Sequence, residues 1–128
     1  MNKTKFIFIA HRGIHNNLNI PENSIKAFKR AISKNMPIEL DVHLTSDNKL
    51  VVFHDDNLIR MTGLYKKIRK CTYDEISKLK LLNTNEVIPL LSDGLELVDG
   101  KVLLDIEVKN DKRINRTCKE LVKLLDNY

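Results

Sequence analysis

Three acidic residues occupy strand-like positions where a purely structural role has little use for them. Glu39 and Asp41 alternate with Ile38, Leu40 and Val42, and Glu107 shares one face of the run Val102–Val108 with Asp105 and, just beyond it, Lys109. A carboxylate buried without a partner is costly, so such a set calls for a compensating cation. Carboxylate oxygens are the ligands that Mg²⁺ and Ca²⁺ prefer, and two from one strand at i and i+2 plus one from another make a ready triangle. The plainer alternative, the wet faces of two amphipathic strands, holds for any one pair taken alone.

His11 and His54 each follow an apolar run directly, the position from which parallel strands deliver side chains into the mouth of an α/β sheet. Imidazole titrates near neutrality, so two of them flanking a metal-held phosphate can take one proton and give another during phosphoester cleavage. Arg12 adds a planar cation suited to phosphate oxygens. Nothing in the sequence pairs His15 or His43 with a role.

The elements that must hold these residues follow from periodicity. Phe6–Ala10 is short, continuous and apolar, the pattern of a strand buried on both faces. Asn23 or Ser24 caps a helix over about 23–34 whose apolar positions are Ile25, Phe28, Ala31 and Ile32. A second strand runs from Ile38 to His43, since Pro37 can open a strand but not sit within one. Asp47-Asn48 marks a turn, and a third strand covers Leu50–Phe53. A helix is predicted over about 73–81 with Ile76 and Leu79 inward, and another over about 92–98. Val102–Val108 is the fourth strand. Asn110 or Asp111 caps a last helix with the stripe Ile114, Cys118, Leu121, Val122 and Leu125. This alternation predicts an α/β fold with a mainly parallel sheet. Only about six residues separate the second and third strands, a length that suits a hairpin better than a parallel crossover.

Composition narrows the class. At 128 residues, 42 % hydrophobic and 30 % charged, the chain has one domain's worth of polypeptide and enough apolar content for a core. Its charge of +5 is spread in singles and pairs, and aromatics at 5 % do not interleave with the cations, so a nucleic-acid face is not expected. Cys71 and Cys118 show no metal-ligand spacing and no disulfide framework. No apolar run is long enough for a membrane span or an export signal, so the expected location is cytoplasmic.

Taken in order, His11-Arg12-Gly13, Pro21-Glu22-Asn23-Ser24, Glu39-Leu40-Asp41-Val42 with Leu44-Thr45, Val52-Phe53-His54-Asp55 with Leu58 and Arg60, Ile88-Pro89-Leu90, and Glu107-Val108-Lys109 strongly resemble the glycerophosphodiester phosphodiesterase family. The resemblance runs across nearly the whole chain. It implies a divalent-metal hydrolase of lipid metabolism on a (β/α)8 barrel, cleaving glycerophosphodiesters to glycerol 3-phosphate and an alcohol. Position by position, Glu39, Asp41 and Glu107 match the metal-binding carboxylates, His11 and His54 the acid/base pair, Arg12 the phosphate-contacting arginine, and Glu22 and Lys109 polar residues lining the mouth. It also implies a third strand parallel to the second, with His54 beside Glu39 and Asp41, and that arrangement is preferred here to the hairpin.

Two departures are small: Asp47-Asn48 stands where the family usually has Asp-Gly, and Asn35-Met36-Pro37 replaces a segment that usually contains Gly. Length is the large one, because a complete barrel takes about 200–250 residues. The expectation is therefore a half TIM-type barrel over residues 1–128, four mainly parallel strands with flanking helices, truncated after the fourth strand and its helix. Its open edges make a homodimer that completes the half-barrel one expected partner, beside the small-molecule substrate. The rival readings are a non-catalytic metal-binding or self-associating remnant and, behind it, a small metal-dependent nuclease.

Overall fold

The structure is a computed structural model and describes residues 3–128. Its central strand is β2 (Ile38–Leu44), and β1 (Ala10–His11), β3 (Leu50–Val52) and β4 (Leu104–Val108) all pair with it. β1 and β4 run parallel to β2, with His11 opposite Glu39 and Glu107 opposite Asp41. Along β2 the carbonyls of Glu39 and Asp41 accept the N–H groups of Arg12 at 2.8 Å and Phe53 at 3.0 Å, whereas the Val42 carbonyl accepts from Lys109 at 3.2 Å. Since carbonyls alternate edges along a strand, β1 and β3 follow each other along one edge and β4 holds the other.

β3 is antiparallel to β2, pairing Val42 with Val52 and Leu44 with Leu50. This corrects the parallel arrangement that the resemblance implied; the short link decides for a hairpin. Asn48 turns it at φ 60°, the left-handed region that Asn tolerates, and the Thr45 hydroxyl accepts from Lys49 N–H at 2.9 Å and donates to Asp47 Oδ1 at 2.6 Å. The hairpin nevertheless delivers His54 to the mouth. By returning along the β1 edge it sets His54 down just past the end of β1.

The aliphatic face of β2 (Ile38, Leu40, Val42 and Leu44) is buried against Phe28 and Ala31 of α1 (Ile25–Ser33), and against Leu91, Leu95 and Val98 of α4 (Leu91–Val98). Leu121 and Leu124 of α5 (Ile114–Leu125) close the same layer. Each fully buried aliphatic or aromatic side chain here is worth roughly 1.5–3 kcal/mol. Ser24 caps α1 by accepting from Ala27 N–H at 3.1 Å. A second core lies under the excursion after β3, where Phe53, Leu58, Met61, Ile68, Ile76, Leu81 and Ile88 pack around α2 (Ile59–Thr62) and α3 (Tyr73–Ser77).

Other expectations are corrected. Residues 3–9 form no strand, and Phe6, Ile7 and Phe8 are exposed. Pairing starts only where Ala10 N–H reaches the Pro37 carbonyl at 2.8 Å; ahead of Pro37 the chain is helix and turn, so the apolar run has no strand to join among the described residues. The helix predicted over 73–81 stops at Ser77, and a 3₁₀ turn at Leu81–Asn83 follows. The last helix begins later than expected, after Arg113, with Asp111 Oδ1 accepting from Arg113 N–H at 2.7 Å. Its inward face is Thr117, Leu121 and Leu124, while Cys118, Val122 and Leu125 are exposed. Apolar residues lie on both sides of this helix, so periodicity did not select the packed stripe. Among the described residues no helix is long and apolar enough to cross a membrane.

Candidate active site

Because Ile38, Leu40 and Val42 turn into the helix layer, Glu39, Asp41 and His43 turn to the opposite face. Glu107, in register with Asp41, turns the same way. One oxygen from each of Glu39, Asp41 and Glu107 lies within 4.8 Å of the others. Glu39 Oε1 is buried and accepts no hydrogen bond, while the buried Asp41 Oδ1 faces the Lys109 ammonium at 3.2 Å. Orphaned buried oxygens of this kind are rare unless something else engages them. Three converging carboxylates with Glu39 Oε1 left unengaged fit a hard divalent cation.

The electrostatics match. Burial, then the neighbouring Asp41 charge, pushes the Glu39 carboxyl up to about 7. Asp41 is also buried, but the Asn23 amide, donating at 3.0 Å, and the Lys109 ammonium, 3.2 Å from Oδ1, outweigh burial and hold its carboxyl below the usual range. Lys109 also stands 3.5 Å from Glu107. One lysine thus serves two of the three carboxylates and leaves Glu39 short of positive charge.

The turn after β1 places His11 and Arg12. Arg12 and Gly13 are both left-handed, at φ 59° and 78°. Gly13 is required here, since a Cβ would lie 2.8 Å from Ala27 Cβ and 2.9 Å from the Ala27 carbonyl carbon. Arg12 accepts the strain of its own φ because its N–H is taken by Glu39, at 2.8 Å to the carbonyl and 3.2 Å to Oε2. Its guanidinium donates to Glu22 at 2.9 Å and stands 3.7 Å from Asp41. The His11 ring is 66 % exposed with Nε2 3.7 Å from Glu39. His54 is half-buried, and its Nδ1 is 2.7 Å from Asp55 Oδ1.

Glu22 differs from the role its position suggested. Its side chain is only 3 % exposed, and Arg12, Asn17 and Arg60 occupy both of its oxygens, which makes it an anchor for two arginines. Burial opposes its charge, but the hydrogen bonds from Arg60 and Asn17 and the charges of both arginines prevail and hold it at about 2. Asp55 is held at about 2 chiefly by Arg60.

The structure therefore brings the three carboxylates, Arg12 and Lys109 together, with His11 against Glu39 and His54 just past the end of β1. It also adds residues that sequence reasoning missed. Asn23 orients Asp41, Asp55 holds His54, and the buried His43 donates from Nε2 to the His54 carbonyl at 2.9 Å. His43 shares a strand face with Glu39 and Asp41, and Asp55 adjoins His54, so both carried a readable signal; the Asn23 contact carried none.

A family model described as the glycerophosphoryl diester phosphodiesterase family matches residues 11–127. The chain belongs to that family. It is 38 % identical to a glycerophosphodiester phosphodiesterase from Caldanaerobacter subterraneus, over 97 % of this chain and 54 % of the relative. The fold superposes on an Oleispira antarctica phosphodiesterase solved with sn-glycerol-3-phosphate, at a TM-score of 0.83 and 29 % identity, over 92 % of this chain and 51 % of that one. A Thermotoga maritima glycerophosphodiester phosphodiesterase gives 0.78 and 30 %, over 98 % and 52 %. The chain spans about half the length of the relatives it matches, and its α/β sheet corresponds to about half of their barrels.

Proposed function

We propose that this chain carries the metal and acid/base half of a glycerophosphodiesterase site and hydrolyses glycerophosphodiesters to glycerol 3-phosphate and an alcohol. The observation that carries this reading is the cluster of Glu39, Asp41 and Glu107, with the buried Glu39 Oε1 unengaged, close to Arg12 and His11. These carboxylates would hold one Mg²⁺ or Ca²⁺, which when bound supplies Lewis-acid neutralisation of the charge that grows on the phosphate. Arg12, anchored by Glu22, orients phosphate oxygens with the guanidinium donors that Glu22 leaves over. Lys109 adds positive charge on the opposite side of Asp41. Of His11 and His54, one removes a proton from the attacking oxygen and the other protonates the departing alkoxide.

The test is release of glycerol 3-phosphate from glycerophosphocholine by the purified chain, with Mg²⁺ or Ca²⁺ and with chelator, beside Glu39→Ala. Release that needs both the metal and Glu39 is expected; release unaffected by either contradicts the proposal. A second reading, a self-associating or metal-binding module without turnover, is favoured by the half-length match and by the exposure of Leu103, Val122 and Leu125 around β4 and α5. On that reading the chain is silent in the assay yet stabilised by metal. If a second copy covers the open side, the sizing-column mass is that of a dimer.

A further inference from the structure

Arg60 makes four directed bonds to two carboxylates. Its Nε and Nη2 donate to Asp55 at 2.8 and 3.0 Å, and its Nη1 and Nη2 donate to Glu22 at 2.9 Å each. The same two carboxylates hold the groups assigned to chemistry: Asp55 Oδ1 is the partner of His54 Nδ1, and Glu22 Oε2 accepts from Arg12. Arg60 is 44 % exposed, but the Glu22 it grips is buried, so this is no loose surface pair. Its backbone is fixed as well, since Leu58 and Met61 on either side of it are in the second core.

We propose that Arg60 is a positioning residue that sets His54 and Arg12 relative to each other. Through Asp55 it fixes the His54 ring with Nδ1 as the donor, which leaves Nε2 as the nitrogen free to exchange a proton. Through Glu22 it fixes the Arg12 guanidinium. A planar fork can grip two carboxylates in one plane at once, whereas a lysine ammonium is a point donor with no fixed plane. His43 adds a second restraint on the same residue by holding the His54 carbonyl. That this geometry serves turnover rests on the hydrolase reading above; the ring state does not.

The ring state can be read without any substrate. Long-range ¹H–¹⁵N spectra of the ¹⁵N-labelled chain at about pH 8 report which nitrogen of His54 carries the proton. The expected result is Nδ1–H in the unaltered chain, a shift toward a tautomer mixture in Arg60→Lys, and loss of Nδ1–H in Asp55→Ala. His43 should keep Nε2–H throughout as an internal control. Asp55→Ala tests the direct Asp55–His54 link, and Arg60→Gln, with one amide donor left for Asp55, reads the coupling if Arg60→Lys fails to fold. In an active preparation, Arg60→Lys lowers kcat by roughly 10–100-fold. A fixed Nδ1–H tautomer in a chain without hydrolysis supports the positioning role and counts against the hydrolase reading. An Nε2–H tautomer in the unaltered chain, or an Arg60→Lys spectrum identical to it, overturns the proposal.

Discussion

Two buried carboxylates a short way apart meet opposite fates. Glu22 lies between two arginines and an asparagine, every oxygen is engaged, and it is held at about 2. Glu39 is also shielded from water, but its nearest charged neighbours include Asp41 and Glu107, one oxygen has no partner, and it is pushed up to about 7. The difference is cation supply. In the ensemble of Glu22, Arg12, Arg60, Asp55 and His54 both oxygens of each carboxylate are engaged, and the spare Arg12 Nε stands 3.7 Å from Asp41, which suits a group that orients others. The triad of Glu39, Asp41 and Glu107 leaves Glu39 Oε1 without a partner, which suits a group that receives an ion.

The sharpest way to break the closed region is Glu22→Ala. Removing the anion leaves Arg12 nearly buried without its partner, and the expected loss is roughly 3–5 kcal/mol in urea denaturation. A change below about 1 kcal/mol would place Glu22 among ordinary surface acids. Gly13→Ala comes next. The added Cβ meets Ala27 backbone at 2.9 Å on a left-handed residue, so a loss of about 2–3 kcal/mol is expected in the same measurement.

The two regions should also give opposite pH signatures. Glu22 and Asp55 are lowered in the fold, so the stability they contribute is complete above about pH 4.5 and fades as pH falls toward about 2. Glu39 is raised, so the fold binds a proton that the unfolded chain has released, and metal-free stability declines as pH rises from about 4.5 through about 7. Glu39→Gln should remove that decline and stabilise the metal-free chain at pH 8 by on the order of 2 kcal/mol. Thermal melts across pH, with and without chelator, check the sign. The smallest effect belongs to the face of α5 that carries Val122; Val122→Lys should shift stability by less than about 0.5 kcal/mol in a monomer. A larger loss would show that this face is covered in solution.

Much of this was legible in the residues. The alternation in β2 placed Glu39 and Asp41 on one face, and the strand pattern over Val102–Val108 placed Glu107 where it could join them. The hairpin between β2 and β3 is readable from the length of its link, which outweighs the parallel strand that the resemblance implies. Phe6–Ile9 misled because burial of an apolar run depends on neighbours it does not itself specify. The stripe of α5 misled because Cys118, Val122 and Leu125 are as apolar as the residues that pack. The role of Arg60 is not legible, since nothing in spacing tells that its side chain will bridge Asp55, five positions before it, to Glu22, 38 positions before it.

The most direct test of the open triad is calorimetric titration of Ca²⁺ or Mg²⁺ into the metal-free chain at about pH 6.5, in two buffers of different ionisation heat. One ion per chain, bound with release of a proton from Glu39 and no longer bound in Glu39→Ala, is the result this account predicts. Absence of saturable binding, or binding that survives Glu39→Ala with no proton released, would contradict it.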